Sequence, residues 1–231
     1  MTRRHVEVFV VGAGPVGLTA AAELGRRGVN VRCVDASPHH NVSTKALGLQ
    51  ARTLELFERL GVVEAAARGL PVCRFNILSE QRQIAEFDLG GLDTPYPYLL
   101  MLPQNTTEEI PLDRMEELGG GGERGVELIG FTQDPDGVDA VLRHPDRRSE
   151  DVRADWMIAA DGAHSSVRHQ LGLAVAVRRV VRVPQPLQLH RVLSDGRWLA
   201  SGGHRLQHSP GAGKRCDARR SSGRHRHLRA D

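Results

Sequence analysis

Three glycines and two carboxylates carry the chemistry that can be read from this sequence. Gly12, Gly14 and Gly17 fall in G-x-G-x-x-G spacing, and Asp35 follows them. In such a loop the first glycine makes the turn, the second lets a pyrophosphate approach the backbone, and the third lets a helix pack on a strand. A carboxylate at Asp35 can accept hydrogen bonds from ribose hydroxyls. The second carboxylate, Asp161, stands with Gly162 inside DWMIAADGAHSSVR at 155–168. The chemistry in view is recognition of phosphate and sugar, as in a dinucleotide.

The flanking residues must place these groups. Residues 6–35 read as strand, glycine turn, helix, strand and acid. Val6, Val8, Val10 and Val11 form the β-branched run, and the helix opens at Pro15. Its positive N-terminus then faces the phosphates. Asp35 ends the second strand. Further on, QARTLELFERL at 50–60 puts Leu54, Leu56, Phe57 and Leu60 on one helical face, and Gly61 ends that helix. Segments 71–79, 82–89 and 96–102 read as strands. A helix opens around Pro103–Thr106, where Thr106 and Glu109 have capping-box spacing. Residues 125–132, 137–143 and 151–159 read as strands, with Asp134-Pro135-Asp136-Gly137 as a turn. The last is read as a buried strand, Trp156 to Ala160, that delivers Asp161 at its carboxyl end.

Composition narrows the class. The N-terminal MTRRH runs directly into VEVFVV and the glycine turn, which is too short for a signal peptide. No stretch approaches the ~18 apolar residues of a membrane span. Cys33, Cys73 and Cys216 are odd in number and widely spaced, giving neither zinc spacing nor a disulfide framework. That points to a reducing cytoplasm, with Cys33 as plain core. Charge is uneven: residues 1–173 carry 18 Lys and Arg against 25 Asp and Glu, whereas residues 174–231 carry 13 against 3. The basic tail is dense in Arg, His, Gly, Pro and Ser and has no sustained period.

With the two motifs in place, the chain resembles the class A flavoprotein monooxygenases, the para-hydroxybenzoate-hydroxylase-like aromatic hydroxylases. The resemblance rests on the glycine fingerprint, on the DG-x-x-S-x-V-R segment (Asp161, Gly162, Ser165, Val167, Arg168), on KALGLQARTLELFERLGV at 45–62 and on PQNTTEEI at 103–110. It covers residues 5–173 and is strongest for the branch acting on phenols and polycyclic aromatic polyketides. It implies an α/β fold: a three-layer Rossmann-like FAD-binding domain with a parallel central sheet, and an incomplete substrate-side β-sheet drawing on 71–102. It implies FAD as cofactor, NADPH or NADH as co-substrate and a small aromatic or polyketide substrate. Gly12, Ala13, Gly14, Pro15, Val16 and Gly17 would hold the pyrophosphate, and Asp35 and Ala36 the adenosine side. Lys45 stands where the family usually has arginine, keeping the charge without the planar fork. Gln104 would reach the flavin linker, Asp161 and Gly162 the pyrophosphate, and Arg168 would support that turn. His164 is read as surface. The protein positions flavin and substrate and excludes water, so no catalytic side chain and no metal site is expected.

Two departures stand out. Gly119–Gly122 replaces a short β-branched strand, and four glycines argue against a strand there and against the adenine contact it would frame. From residue 174 nothing resembles the family: its third motif, Gly-Asp before a Pro-rich helix start, is missing. With 29 Arg against 2 Lys, the tail reads like a frame slip in a GC-rich gene. The expectation is a truncated or frameshifted hydroxylase that binds FAD weakly and is catalytically incomplete. Its residues 174–231 would be disordered or out of frame. Two alternatives differ in class. A small NAD-dependent reductase lacks its Tyr–Lys pair, because Tyr96 and Tyr98 have no lysine a few residues on. A non-enzymatic nucleic-acid-binding protein could use the basic tail, which lacks aromatic interleaving, so no specific nucleic-acid partner is expected.

Overall fold

A computed structural model describes residues 4–39, 48–79, 82–174, 188–192, 198–201 and 206–207. In chain order the first elements are β1 (Arg4–Val11), α1 (Pro15–Gly25), β2 (Val31–Asp35), β3 (Gly48–Leu49) and α2 (Ala51–Leu60). Next come β4 (Leu70–Val72), β5 (Arg74–Ser79), β6 (Arg82–Asp88), β7 (Leu99–Met101) and α3 (Gln104–Glu117). Then follow β8 (Gly122–Arg124), β9 (Glu127–Asp134), β10 (Gly137–Arg143), β11 (Ser149–Ala159) and α4 (Ser166–Gln170). The last are β12 (Gln188–Val192), β13 (Trp198–Ser201) and β14 (Leu206–Gln207).

The chain divides into two compact units. One comprises Met1–Gly48, Leu56–Leu70 and Met101–Pro184, the other Leu49–Glu55, Pro71–Leu100 and Gln185–Asp231. The first is built on a six-stranded sheet of order β8-β2-β1-β11-β10-β9. The β1–β11, β1–β2 and β2–β8 pairings are parallel, so the centre is the expected parallel sheet. Its far side is an antiparallel meander, β11–β10–β9, turned at Asp134–Gly137. Gly137 is required in that turn: its φ is +147°, and a Cβ there would stand 2.3 Å from the Ala154 carbonyl oxygen.

Burial explains the sequence texture. β1 starts in alternation, with His5 and Glu7 exposed and Val6 and Val8 buried. It then becomes apolar on both faces at Phe9, Val10 and Val11, as a central strand must. α1 and α3 pack against each other, and α1 packs on β1 and β2. An apolar cluster joins Phe9, Val11 and Val34 to Leu128, Ala140 and Leu142 of the meander and to Val167 of α4. In α2, Leu54, Phe57 and Leu60 are buried, and Gly61 ends the helix at φ +75°. Cys33 is fully buried, and burial first, with the Asp35 carboxylate adding to it, pushes its thiol up to about 12. Cys73 is disulfide-bonded, a pairing that the cysteine spacing did not suggest.

Three expectations need correction. The strand ending at Asp161 is not buried at its carboxyl end: Trp156 is 73% exposed. β10 pairs with β11 only from Ser149 to Ala154, so from Asp155 onward β11 keeps one neighbour among the described residues, β1. The Thr106–Glu109 capping box does not form: α3 starts at Gln104 with Pro103 as its N-cap and no side-chain cap bond. Thr107 instead turns its hydroxyl back to the Pro103 carbonyl at 3.1 Å. Finally, the glycine run does not abolish the strand. Gly119 (φ +80°) turns the chain after α3, the Gly120 N–H returns to the Met115 carbonyl at 2.9 Å, and β8 begins at Gly122.

The second unit holds the β5–β6 hairpin, with Phe75 and Phe87 stacked at 4.9 Å. β14 pairs with β5, and β12 pairs with β13. Of these, β5 and β6 come from the 71–102 stretch expected to add strands, whereas β12, β13 and β14 come from 188–207. Within 174–231, expected to be disordered or out of frame, residues 188–192, 198–201 and 206–207 form the paired strands β12, β13 and β14, and the stretch between and beyond them lies outside the described residues.

Candidate functional site

The glycine turn leaves β1 directly beneath the end of β11. Val11 and Ala159 are register partners, and the Ala160 N–H donates to the Val11 carbonyl at 2.7 Å. Gly12, at φ +104°, passes so close to that strand end that a Cβ would lie 2.3 Å from the Ala160 oxygen and 2.8 Å from the Asp161 nitrogen. Gly12 and Asp161 thus meet at the carboxyl ends of neighbouring parallel strands, where open α/β sheets bind their ligands.

Each fingerprint glycine has a different neighbour. A Cβ at Gly17 would sit 1.8 Å from the Gly12 carbonyl oxygen, so this glycine lets α1 approach the turn. A Cβ at Gly14 would meet nothing within 4 Å. The glycine there faces open space, which is what close approach of a ligand phosphate requires. Gly14 is the N-cap of α1 without a side-chain cap bond, Pro15 follows in the first turn, and that turn has no acidic residue. The positive end of the helix is therefore left unneutralised by its own first turn. Val16, at the same end, is exposed.

Asp35 is tied into this loop. Its Oδ2 accepts the Ala13 N–H at 2.7 Å and its Oδ1 the Ser37 N–H at 2.8 Å. Each carboxylate oxygen has two acceptor sites, so capacity for ribose hydroxyls remains. Ala36, the next residue, lines a cleft of about 510 Å³ with Gly125, His144 and Pro145.

Asp161 has one engaged and one unengaged oxygen. Oδ2 accepts the Val167 N–H and the Ser166 hydroxyl, both at 3.2 Å. Oδ1 is buried without a hydrogen-bond partner among the described residues. Burial opposes ionisation, but the nearby Ser165 hydroxyl, the Val167 amide and the Ser166 hydroxyl outweigh it and hold the carboxyl below its ordinary value. Ser165 caps α4 by accepting the Arg168 N–H at 3.0 Å, and the Arg168 guanidinium donates to the Ala163 carbonyl at 3.0 Å. His164 is exposed.

The structure therefore brings together Gly12, Ala13, Gly14, Gly17, Asp35 and Asp161. Gln104 bonds Glu108 of its own helix at 3.0 Å. Lys45 lies outside the described residues. The sequence reading missed Arg124. It is the register partner of Asp35 across β2–β8, with Nη1 3.4 Å from Asp35 Oδ2 and Nη2 donating to the Ala13 carbonyl at 2.7 Å. The signal was hidden by the glycine run in front of it, which masked the strand that carries it.

These residues fit an adenine dinucleotide. The open face of Gly14 and the uncapped helix start suit a pyrophosphate, and Asp35 suits a ribose. Among the described residues no helix is long and apolar enough to cross a membrane.

Comparison with known proteins agrees with this geometry. A family model described as FAD binding domain matches residues 5–200. The 6-methylpretetramide 4-monooxygenase of Streptomyces rimosus is 46% identical over 170 residues, which cover 72% of this chain and 30% of that protein. The crystal structure of p-nitrophenol 4-monooxygenase from Pseudomonas putida DLL-E4 superposes with a TM-score of 0.67 at 29% identity, covering 74% of this chain and 45% of that one. Aklavinone-11 hydroxylase, solved with FAD and aklavinone, gives 0.65 at 31% identity, covering 74% and 36%. The chain thus spans about a third of the length of the curated relatives it matches. The reductase and nucleic-acid readings gain no support from these matches. The glycine turn, the acidic strand end and the converging Asp161 segment are those of a flavoprotein, and this chain belongs to the FAD binding domain family that these monooxygenases share.

Proposed function

We propose that residues 5–173 hold the ADP half of FAD in a monooxygenase acting on a small aromatic or polyketide substrate, with NADPH or NADH as reductant. The observation that carries this is the convergence of Gly12 and Asp161 on one crevice at adjacent strand ends. FAD, when bound, supplies the redox chemistry by which one oxygen atom of O2 is inserted into an electron-rich ring. The chain's own residues bind and orient. Gly14 admits the pyrophosphate to the backbone, and the α1 N-terminus offers amides and a positive dipole to it. Asp35 accepts from the ribose. Asp161 and Gly162 close the crevice from the β11 side, supported by Arg168 through Ala163. Ala36, Gln104 and Lys45 complete the proposed cofactor set.

The direct test is competition. The chain is titrated with FAD by fluorescence, then ADP is added. FAD displaced by ADP supports the reading, and FAD binding indifferent to ADP overturns it. NADPH- or NADH-dependent oxygen uptake with a phenol present, and analysis of the product, tests the oxygenase assignment separately.

A further inference from the structure

Arg124 reaches the cofactor loop from outside the fingerprint. Its guanidinium is largely buried, with 16% of the side chain exposed. Nη2 donates to the Ala13 carbonyl at 2.7 Å, while the Ala13 N–H donates to Asp35 Oδ2 at 2.7 Å. Arg124 Nη1 stands 3.4 Å from that same oxygen. Ala13 is thus held at both its N–H and its carbonyl by an ionic pair spanning β2 and β8.

This has a consequence for the next amide. The chain contains no cis peptide bond among its described residues, so the Ala13 carbonyl and the Gly14 N–H lie in one plane and point in opposite directions. Fixing the carbonyl toward Arg124 fixes the Gly14 N–H away from it. β8 and β11 lie on opposite flanks of the β2–β1 pair, and Asp161 is on the β11 flank.

We propose that Arg124 is a positioning residue for the ADP half of the flavin: it sets the Ala13–Gly14 peptide so that the Gly14 N–H is preorganised for the pyrophosphate. The inference rests on the reading of this crevice as the ADP site.

Two further features support a built arrangement. Gly122 brings β8 close to α1: a Cβ there would lie 3.3 Å from Ala13 Cβ and 3.4 Å from Leu18 Cδ2. Arg32 of β2, 4% exposed, then holds the same strand by donating twice to Glu123 at 2.8 and 2.9 Å. The Val126 N–H returns to the Asp35 carbonyl at 3.0 Å. Each contact fixes the strand whose last residue is Arg124.

The test uses the full chain and two variants, Arg124→Met and Arg124→Lys, with FAD and ADP as probes. Calorimetry or fluorescence gives their dissociation constants, and thermal unfolding without ligand reports folding. Arg124→Met is expected to weaken FAD and ADP about tenfold or more, the scale of one charge-assisted hydrogen bond. Arg124→Lys, which keeps the charge without the fork, is expected to fall between. It also decides the matter if the methionine variant does not fold. Amide hydrogen exchange of the peptide covering Val11–Gly17, measured without ligand, should speed up in both variants. A purely structural arginine would lower the unfolding midpoint and leave the ADP constant unchanged. Affinities within twofold of the parent, or unaltered loop exchange, overturn the proposal. A parent chain that takes neither FAD nor ADP would sink the ADP-site reading, while the exchange measurement would still decide Arg124's role in the loop.

Discussion

Replacing Gly17 by alanine should reverse the usual sign of a helical Gly→Ala change. In an ordinary helix the change stabilises by about 0.5–1 kcal/mol, because alanine loses less backbone entropy on folding. At Gly17 the added Cβ would stand 1.8 Å from the Gly12 oxygen, 3.0 Å from the Gly12 carbonyl carbon and 3.3 Å from Ala160 Cβ. Ordinary contact begins near 3.4 Å, so α1 or the turn must withdraw by roughly 1.6 Å. Two of the three obstacles are backbone, which cannot rotate aside. Overpacking of this kind costs about 1–3 kcal/mol; an overlap this deep belongs at the upper end, and after subtracting the alanine gain of about 0.5–1 kcal/mol the net loss should be about 2 kcal/mol. At roughly 2–4 °C per kcal/mol for a chain of this size, the midpoint should fall by roughly 4–8 °C. Gly14→Ala provides the contrast. Its Cβ meets nothing within 4 Å, and its backbone (φ −84°, ψ −175°) suits any residue. Loss of a glycine N-cap costs under about 1 kcal/mol, yet the methyl group enters the space where a pyrophosphate would come. Thermal unfolding without ligand and FAD titration separate the two. Gly17→Ala should lose stability, and Gly14→Ala should lose affinity by about tenfold or more with its midpoint nearly kept. A Gly17→Ala midpoint at or above the parent's would refute the packing argument.

Three more outcomes follow from the charged and buried groups. Glu150 is held at about 2, first by its hydrogen bond from Arg32, with burial opposing and His144 assisting. A carboxyl depressed in the folded state contributes stability that is present above its ordinary 4.5 and lost as pH falls through the folded value near 2. The thermal midpoint should therefore decline across that window, and less so in Glu150→Gln. Arg32 bridges Glu123 and Glu150 from a buried position, so Arg32→Leu should cost about 3 kcal/mol or more in urea unfolding. With its thiol pushed up to about 12, Cys33 should stay unalkylated by iodoacetamide at pH 8 in the native chain and become labelled after unfolding, as mass spectrometry would show.

Much of this site was legible because its residues act through local geometry. The fingerprint spacing gave the turn and helix start at Pro15, and the β-branched run gave β1. The Asp161 segment was also visible, because a strand followed by Asp-Gly and a short helix has a local signature. What escaped depends on pairing. That Trp156 is exposed follows from β10 leaving β11 after Ala154, and nothing in DWMIAAD encodes where a neighbour stops. Arg124 was hidden for the same reason. Four glycines look like lost order when read alone. In the sheet, Gly119 turns the chain and Gly122 gives the clearance that lets β8 lie beside β2. Their lack of side chains is a packing requirement set by Ala13 and Leu18, residues more than a hundred positions away in the sequence.

The exposed end of β11 and the closeness of the cofactor loop have one cause. Up to Ala154 the strand is held on both sides, and β10 fixes its course. Beyond that point, among the described residues, only β1 holds it, through register partners from Val8–Trp156 to Val11–Ala159. A strand with a single neighbour must follow that neighbour. β11 therefore tracks β1 to its end and brings the Ala160 carbonyl to where only a glycine can turn beneath it. A meander that continued alongside β11 would add a second set of hydrogen bonds and a second constraint on its direction. It would also occupy the flank beside Asp161. Leaving that flank unpaired sets Trp156 into solvent and leaves the edge of the crevice open to a nucleotide. Gly12 is then a consequence of sheet pairing as much as of phosphate binding, and replacing it should disrupt the chain before any cofactor is added.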